Sequence, residues 1–341
     1  MNLLASTIGA AERAPLPDNL TLAGINWLVL RAKRQLLNNS VQGNVRFLAD
    51  MEQFPIAAHT DAANAQHYEL PAAFFAMVLG TQRKYSCCLY PSDNATLDEA
   101  ETFALAQTCL HAGLTNGMDI LELGCGWGAL SLHMAKTYPH ARIVSVSNSQ
   151  SQRAYIESVA TRRNLTNLTV ITADMNDFAT DQKFDRIVSV EMFEHMSNWR
   201  ALLARARGWL EDDGRLFIHV FTHRTQSYRF HHDDPADWIG KYFFTGGIMP
   251  AADLAHQFPD LFTVEAQWRW SGEHYRRTAM DWLDNFDDNI EWIDPILKSV
   301  YGKDAGLWRR RWRLFFLATA GLFGHDGGQE WPIGHYLMKP V

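Results

Sequence analysis

Cysteine is scarce in this chain: Cys87, Cys88, Cys109 and Cys125 are the only four in 341 residues. No Cys-x-x-Cys pair exists, so the ligand frame of a structural zinc is missing and no metal is expected. Adjacent Cys87 and Cys88 make a poor disulfide framework, and four free thiols in a reducing compartment, the cytoplasm, are expected instead. Long apolar runs are lacking too. None approaches the roughly 20 residues needed to span a bilayer. The opening residues, Met1 to Glu12, carry neither the basic leader nor the apolar stretch of a signal peptide. A basic excess is the third absence. With 31 basic and 38 acidic residues the formal charge is −7, the opposite of the clustered positive footprint that nucleic acid demands. A soluble protein acting on a small molecule or a lipid is expected, and the sequence carries no signal for an oligomeric state.

What is present is a core-forming composition, 47% hydrophobic, ample for a large α/β unit with a smaller cap. Residues 1–115 read as a helical N-terminal cap: Leu22, Ile25, Leu28, Val29, Leu30 and Ala32, then Phe47, Leu48, Met51 and Phe54, recur at helical spacing. Its last helix is expected to start at Thr96, with Glu99 completing a capping box, and to stop at Gly113. From 116 to 341 short apolar runs alternate with helical patterns. Strands are expected at 119–123, 141–146, 168–172, 184–190 and 215–221, with helices near 128–138, 150–164 and 199–210. Two late strands, near 262–270 and 333–339, bring the sheet to seven, and the alternation implies a doubly wound, mostly parallel arrangement. Insertions at about 222–261 and 274–324 are expected to cover a substrate. The first holds His223, His231, His232, Trp238, Tyr242, Phe243 and Phe244, too rich a mixture for a plain crossover.

The run Leu121-Glu122-Leu123-Gly124-Cys125-Gly126-Trp127-Gly128 follows the first strand and opens a helix. Glycines there let the backbone approach a ligand, with helix N–H groups facing it. The run also fits a dinucleotide fingerprint. That fingerprint, however, expects an acidic residue at the end of the second strand to hold a ribose hydroxyl. The sequence there is Val146-Ser147-Asn148-Ser149-Gln150-Ser151-Gln152, with no carboxylate before Glu157. Glu122, just before the glycines, and Asp174, just after the third strand, suit a cofactor with a cationic amino-acid end and an adenine amino group.

Several ordered motifs carry a more specific likeness. Residues 84–90 (Lys-Tyr-Ser-Cys-Cys-Leu-Tyr), 121–128, 191–195 (Glu-Met-Phe-Glu-His), His219 and 241–250 (Lys-Tyr-Phe-Phe-Thr-Gly-Gly-Ile-Met-Pro) together resemble the cyclopropane-fatty-acid synthase superfamily. Within it the chain is most similar to the coclaurine N-methyltransferase branch. The likeness covers roughly residues 75–300. It implies a Rossmann-like class I methyltransferase that uses S-adenosyl-L-methionine. Tyr85 and Ser86 would then lie at the methionine end of the cofactor, Glu122, Gly124 and Gly126 along it, Ser147 and Gln152 at the ribose, and Asp174 with Met175 at the adenine.

The resemblance also implies two possible chemistries on one scaffold. Glu194 and His195 correspond to the pair implicated in catalysis in the N-methylating branch, with Glu191 close by. Cys87, Glu194, His219 and Tyr275 fall where cyclopropanating members hold a bicarbonate ion. Methyl transfer to an amine needs a neutral nitrogen aligned with the sulfonium methyl, so a carboxylate to hold the ammonium and a base near pKa 7 suit it. Two features favour that branch: Thr245, where the cyclopropanating form carries a proline, and Glu191, where it carries a small residue. The expected acceptor is a small-molecule amine. Trp238, Trp268, Trp270, Trp282 and Trp292 are candidates for a cation–π pocket. Leu307 to Phe316, with four arginines, is the best candidate for contact with a membrane surface, the alternative being a helix whose cationic stems lie on core edges.

Overall fold

The computed structural model describes residues 8–10, 12–14, 16–37, 41–58, 70–234 and 237–341. The stretch read above as leaderless lies outside these up to Thr7, as do residues 38–40 and 59–69 of the expected cap. Before the first strand come α1 (Asp18–Leu37), α2 (Val41–Met51), α3 (Ala72–Val78) and α4 (Leu97–His111). The Thr96–Glu99 capping box forms, and α4 stops at His111, two residues before Gly113 turns left-handed at φ 62°.

The sheet is built from β1 (Asp119–Leu123), β2 (Arg142–Ser147), β3 (Leu168–Thr172), β4 (Phe184–Val190) and β5 (Leu210–Phe221), all parallel. A two-stranded ribbon, β6 (Tyr228–Arg229) with β7 (Ile248–Met249), follows. Two antiparallel strands, β8 (Phe262–Trp270) and β9 (Ile333–Pro340), then complete the sheet in the order β3-β2-β1-β4-β5-β9-β8. Central strands read as continuous apolar runs because helices cover both faces: Ile120, Leu121, Ile187, Val188, Leu216, Phe217 and Ile218 are all buried.

Strand β5 starts at Leu210, five residues before the expected 215. The added stretch, Glu211-Asp212-Asp213, is exposed and polar, so no apolar period marks it. Leu210 nevertheless pairs with Phe184. The closing Gly214 has no room for a side chain, because a Cβ there would lie 2.9 Å from the Phe184 carbonyl oxygen.

Helices α5 (Ala129–Thr137), α6 (Gln150–Arg162) and α7 (Trp199–Trp209) are the crossovers. The short α8 (Trp238–Tyr242) and the helices α9 (Gly272–Asp288), α10 (Ile290–Tyr301) and α11 (Ala305–Phe323) form a layer of their own. Helix α1 joins that layer: Leu22, Ile25 and Val29 share one apolar cluster with Phe315, Phe316 and Leu317. The arginines of the Leu307–Phe316 run serve this packing. Arg311 pairs with Glu12, Arg313 with Asp18 and Asp287, and Arg309 with Asp294, while Trp312 is buried beneath. No helix among the described residues is long and apolar enough to cross a membrane.

Candidate active site

A cavity of about 780 Å³ opens at the carboxyl ends of β1, β2 and β4. Strand order reverses between β1 and β4, the place where ligands of open α/β sheets bind. One part of the wall is the glycine loop. Gly124 N–H and Cys125 N–H both donate to the Val146 carbonyl at 3.0 Å, drawing the loop across the end of β2. Gly124 sits at φ +82°, where a Cβ would strike Met192 at 2.4 Å. Gly126, at φ +50°, has nothing within 4 Å of its missing Cβ, so the backbone itself faces open cavity.

The other expected cofactor residues gather round this loop. Tyr85, Ser86, Glu122, Gly124, Gly126, Ser147, Gln152, Asp174 and Met175 all line the same cavity. Ser147 Oγ donates to Gln152 Oε1 at 2.7 Å, which leaves the buried Gln152 Nε2 without a partner. Glu122 is buried, with Ser131 and Ser145 hydroxyls donating to it. Burial pushes its carboxyl up to about 7 against those two hydrogen bonds. Asp174 closes a local turn by accepting from the Asn176 N–H at 2.7 Å. A backbone cradle, an unpartnered amide and a buried carboxylate fit a ligand with a ribose, an adenine and a cationic amino-acid end.

The second wall is the catalytic candidate set, and the structure sorts it by position. Glu191, His195 and Tyr275 line the cavity; Cys87, Glu194 and His219 do not. Glu191 is the hub. Its Oε1 accepts from the Cys87 N–H at 2.8 Å and lies 3.2 Å from His219 Nε2, and its Oε2 accepts from the Tyr275 hydroxyl at 2.7 Å. The residue holds φ +47°, a left-handed conformation that costs a non-glycine residue of order 1–3 kcal/mol and persists where the surroundings over-determine it. Burial raises the Glu191 carboxyl while Lys84 and the two donors pull it back. Lys84 is itself buried, donating to Ser86 Oγ and the Cys87 carbonyl, both at 2.6 Å.

Glu194, expected beside His195 as the carboxylate facing an acceptor, lies behind the wall. It is fully buried in a short 3-10 turn, and its Oε1 accepts from the Phe221 N–H at 2.7 Å. Burial and the neighbouring Glu191 charge push it well above the usual carboxylate range, favouring the protonated form. Of the two glutamates after β4, Glu191 is the one that lines the cavity. His195 does face the cavity and stacks on Phe244, ring centroids 4.9 Å apart. Burial holds His219 well below its ordinary pKa, so the imidazole is neutral, and its Nε2 meets Glu191 as donor or acceptor according to the ring's tautomer. Burial likewise raises the Cys87 thiol and the Tyr275 hydroxyl.

The expected tryptophan pocket is realised only in part. Trp238 lines the cavity, but Trp282 is core, Trp292 is exposed, and Trp268 and Trp270 lie against histidines beyond the wall. Phe221, Phe230, Phe244, Phe315 and Phe323 line the cavity too, as do Trp27 and Trp127. Sequence reasoning also missed α1, whose Ile25, Leu28 and Val29 line the cavity. The helical period was visible, but its partner α11 lies almost 300 positions away.

The seven-stranded sheet and the loop define a class I methyltransferase, an enzyme that uses S-adenosylmethionine. A family model for mycolic acid cyclopropane synthetase matches residues 57–326. The chain therefore belongs to the mycolic acid cyclopropane synthetase family. Among curated relatives it is 37% identical over 300 residues to (S)-coclaurine N-methyltransferase of Thalictrum flavum subsp. glaucum, covering 86% of this chain and 83% of that one. It is 30% identical to the cyclopropane-fatty-acyl-phospholipid synthase of Escherichia coli (strain K12), over 79% of this chain and 66% of that one. A crystal structure of coclaurine N-methyltransferase bound to N-methylheliamine and SAH superposes with a TM-score of 0.89, at 34% identity, over 95% of this chain and 96% of the other.

Proposed function

We propose that the enzyme transfers the methyl group of S-adenosylmethionine to the nitrogen of a small, flat amine held against the aromatic wall. The observation that carries this reading is the Glu191 carboxylate, which accepts from Cys87 and Tyr275 and meets His219 Nε2 at 3.2 Å. Three of the four residues that would cradle a bicarbonate ion are thus already engaged by the chain's own carboxylate, and the fourth, Glu194, is turned toward Phe221. Likeness to the N-methyltransferases named above supports the same choice.

In this reading Tyr85, Ser86, Glu122, Gly124, Gly126, Ser147, Gln152, Asp174 and Met175 hold the cofactor, which supplies an electrophilic methyl on a sulfonium. Glu191 attracts the acceptor as its ammonium, and Phe230, Phe244 and Trp238 offer ring faces to the cation. His195, on the wall beside Phe244, orients the amine, and Glu191 takes the proton that must leave before the lone pair can attack. His219 and Tyr275 hold the Glu191 carboxylate in place, and Glu194 sets the turn that carries His195. The helical layer excludes water and fixes the line of nucleophile, methyl and sulfur, worth several kcal/mol. Purified enzyme with cofactor and a panel of secondary and tertiary amines is expected to give methylated products in bicarbonate-free buffer. Transfer only to unsaturated phospholipid, dependent on bicarbonate, would overturn the reading.

A further inference from the structure

Beyond the cavity wall, three histidines from three distant parts of the chain meet in a row that nothing above requires. His219 on β5 and His335 on β9 are direct cross-strand partners. Their rings lie 4.4 Å apart, tilted by 33°. His335 Nδ1 lies 2.8 Å from Nδ1 of His111, the last residue of α4. His111 is half-buried and stacks on Trp268, centroids 4.1 Å apart. His335 and His219 are wholly buried, packed by Trp270 and Phe217. The row thus runs from Glu191 at the cavity, through the sheet, to a residue that solvent reaches.

Two atoms in this row have no partner: His219 Nδ1 and His335 Nε2. Leaving a buried polar nitrogen unpaired costs of order 1–3 kcal/mol each, and the two orphans are the ones that would have to meet for the row to be continuous. The three rings do not form a metal site, since no group of three or more possible ligands converges among the described residues.

We propose that Glu191, His219, His335 and His111 form a proton relay that carries the acceptor's proton out through the sheet while ligands fill the cavity. The proposal rests on the amine reading above. When an ammonium acceptor loses its proton, the freed lone pair bonds to the methyl carbon as the carbon–sulfur bond breaks with its electron pair to sulfur. One proton per turnover is left over, and the cavity route is then blocked by the cofactor and acceptor. In the tautomer that carries Nδ1–H, His219 takes a proton from Glu191 at Nε2 as one leaves at Nδ1. The proton enters His335 at Nε2 as one leaves at Nδ1, and enters His111 at Nδ1 as one leaves at Nε2 to water. Each imidazole gains and loses one proton. His219 Nδ1 and His335 Nε2 are not hydrogen-bonded to each other at rest, so the relay requires one ring to turn toward the other during each transfer and back again to reset its tautomer. His335 and His111 touch no reacting atom and act only through His219. The charged and titratable groups facing the row are Glu191 and Glu194 after β4, Lys84 and Cys87 before α4, and Tyr275 on α9.

The test compares the full-length enzyme with His335→Asn and the less buried His111→Gln. In single-turnover assays with a secondary amine, both variants are expected to slow methyl transfer about tenfold or more, with unchanged affinity for cofactor and amine. Added imidazole should restore the rate of His111→Gln, which lost structure would not permit. A second arm needs no acceptor: exchange of the His219 Nε2 proton with solvent deuterium, followed by NMR on ligand-bound, histidine-labelled protein, should slow by a similar factor in both variants. Rates and exchange within twofold of wild type would overturn the relay. If wild-type enzyme methylates no amine, the amine reading falls, and the exchange arm still decides whether the row conducts protons.

Discussion

Glu122 is the sharpest point at which the structure makes a quantitative claim. Burial pushes its carboxyl from 4.5 up to about 7, with Ser131 and Ser145 holding it from rising further. For a carboxyl raised in the folded state, the stabilising form is the protonated one, so its contribution is full below pH 4.5 and is lost as pH rises through about 7. Raising a carboxyl's midpoint by one pH unit corresponds to about 1.36 kcal/mol, so the loss totals about 3 kcal/mol, of which about 2.5 kcal/mol falls between pH 5 and pH 8.5. Glu122→Gln has the same shape and no titration. Urea unfolding at pH 5 and pH 8.5 should therefore show the variant gaining about 2.5 kcal/mol on wild type across that interval. Taking the difference between the two proteins cancels the other buried carboxyls. Cofactor binding should move the opposite way: a cationic ammonium needs the ionised carboxylate, so wild-type affinity rises as pH increases through about 7. In the variant that rise disappears and affinity falls about tenfold at pH 8.5, the scale of one charge-assisted hydrogen bond. Parallel pH–stability curves for the two proteins would refute the reasoning.

Three further outcomes follow from the same geometry. Glu191→Gln keeps the shape of the hub but sets an amide against the Cys87 and Tyr275 donors, and kcat for an amine should drop about 100-fold or more with cofactor affinity unchanged by calorimetry. Gly126→Val places a β-branched residue at φ +50°, costing of order 1–3 kcal/mol in stability and filling the cradle, so cofactor binding by titration should weaken well over tenfold. Phe243→Ala removes a fully buried ring stacked on Phe315, centroids 4.4 Å apart, and should lower stability by about 3–5 kcal/mol in a denaturant series.

What the sequence made legible was whatever acts over short spans. The strand–glycine–helix unit at 119–137, the capping box at Thr96, and the missing acid after β2 are local patterns, and each stands in the structure where it was expected. The start of β5 was hidden because its first residues are polar and rely on Phe184 and Gly214 for their place. The ordering of Glu191 over Glu194 was hidden for a different reason. Both follow one strand, and the folded chain holds Glu191 at φ +47° with its carboxylate on Cys87, His219 and Tyr275 while Glu194 meets Phe221. His335 gave no signal, lying alone in a late strand over 100 positions from the partner it meets.

Helix α1 shows the same limit from the other end of the chain. Its apolar period announced a helix, but its place on the cavity wall comes from packing on α11, where Ile25 and Val29 meet Phe315 and Phe316 and Arg313 pairs with Asp18. In the folded chain the basic run in α11 pairs with acidic residues at and before the start of α1.

The most direct measurement is the mass and fragmentation of the product formed by purified enzyme, S-adenosylmethionine and a mixture of secondary amines, tertiary amines and unsaturated phospholipid vesicles. The expected product is an amine heavier by one methyl group, with fragments placing it on nitrogen and no change in the acyl chains. A methylated or cyclopropanated acyl chain with every amine unaltered would contradict it.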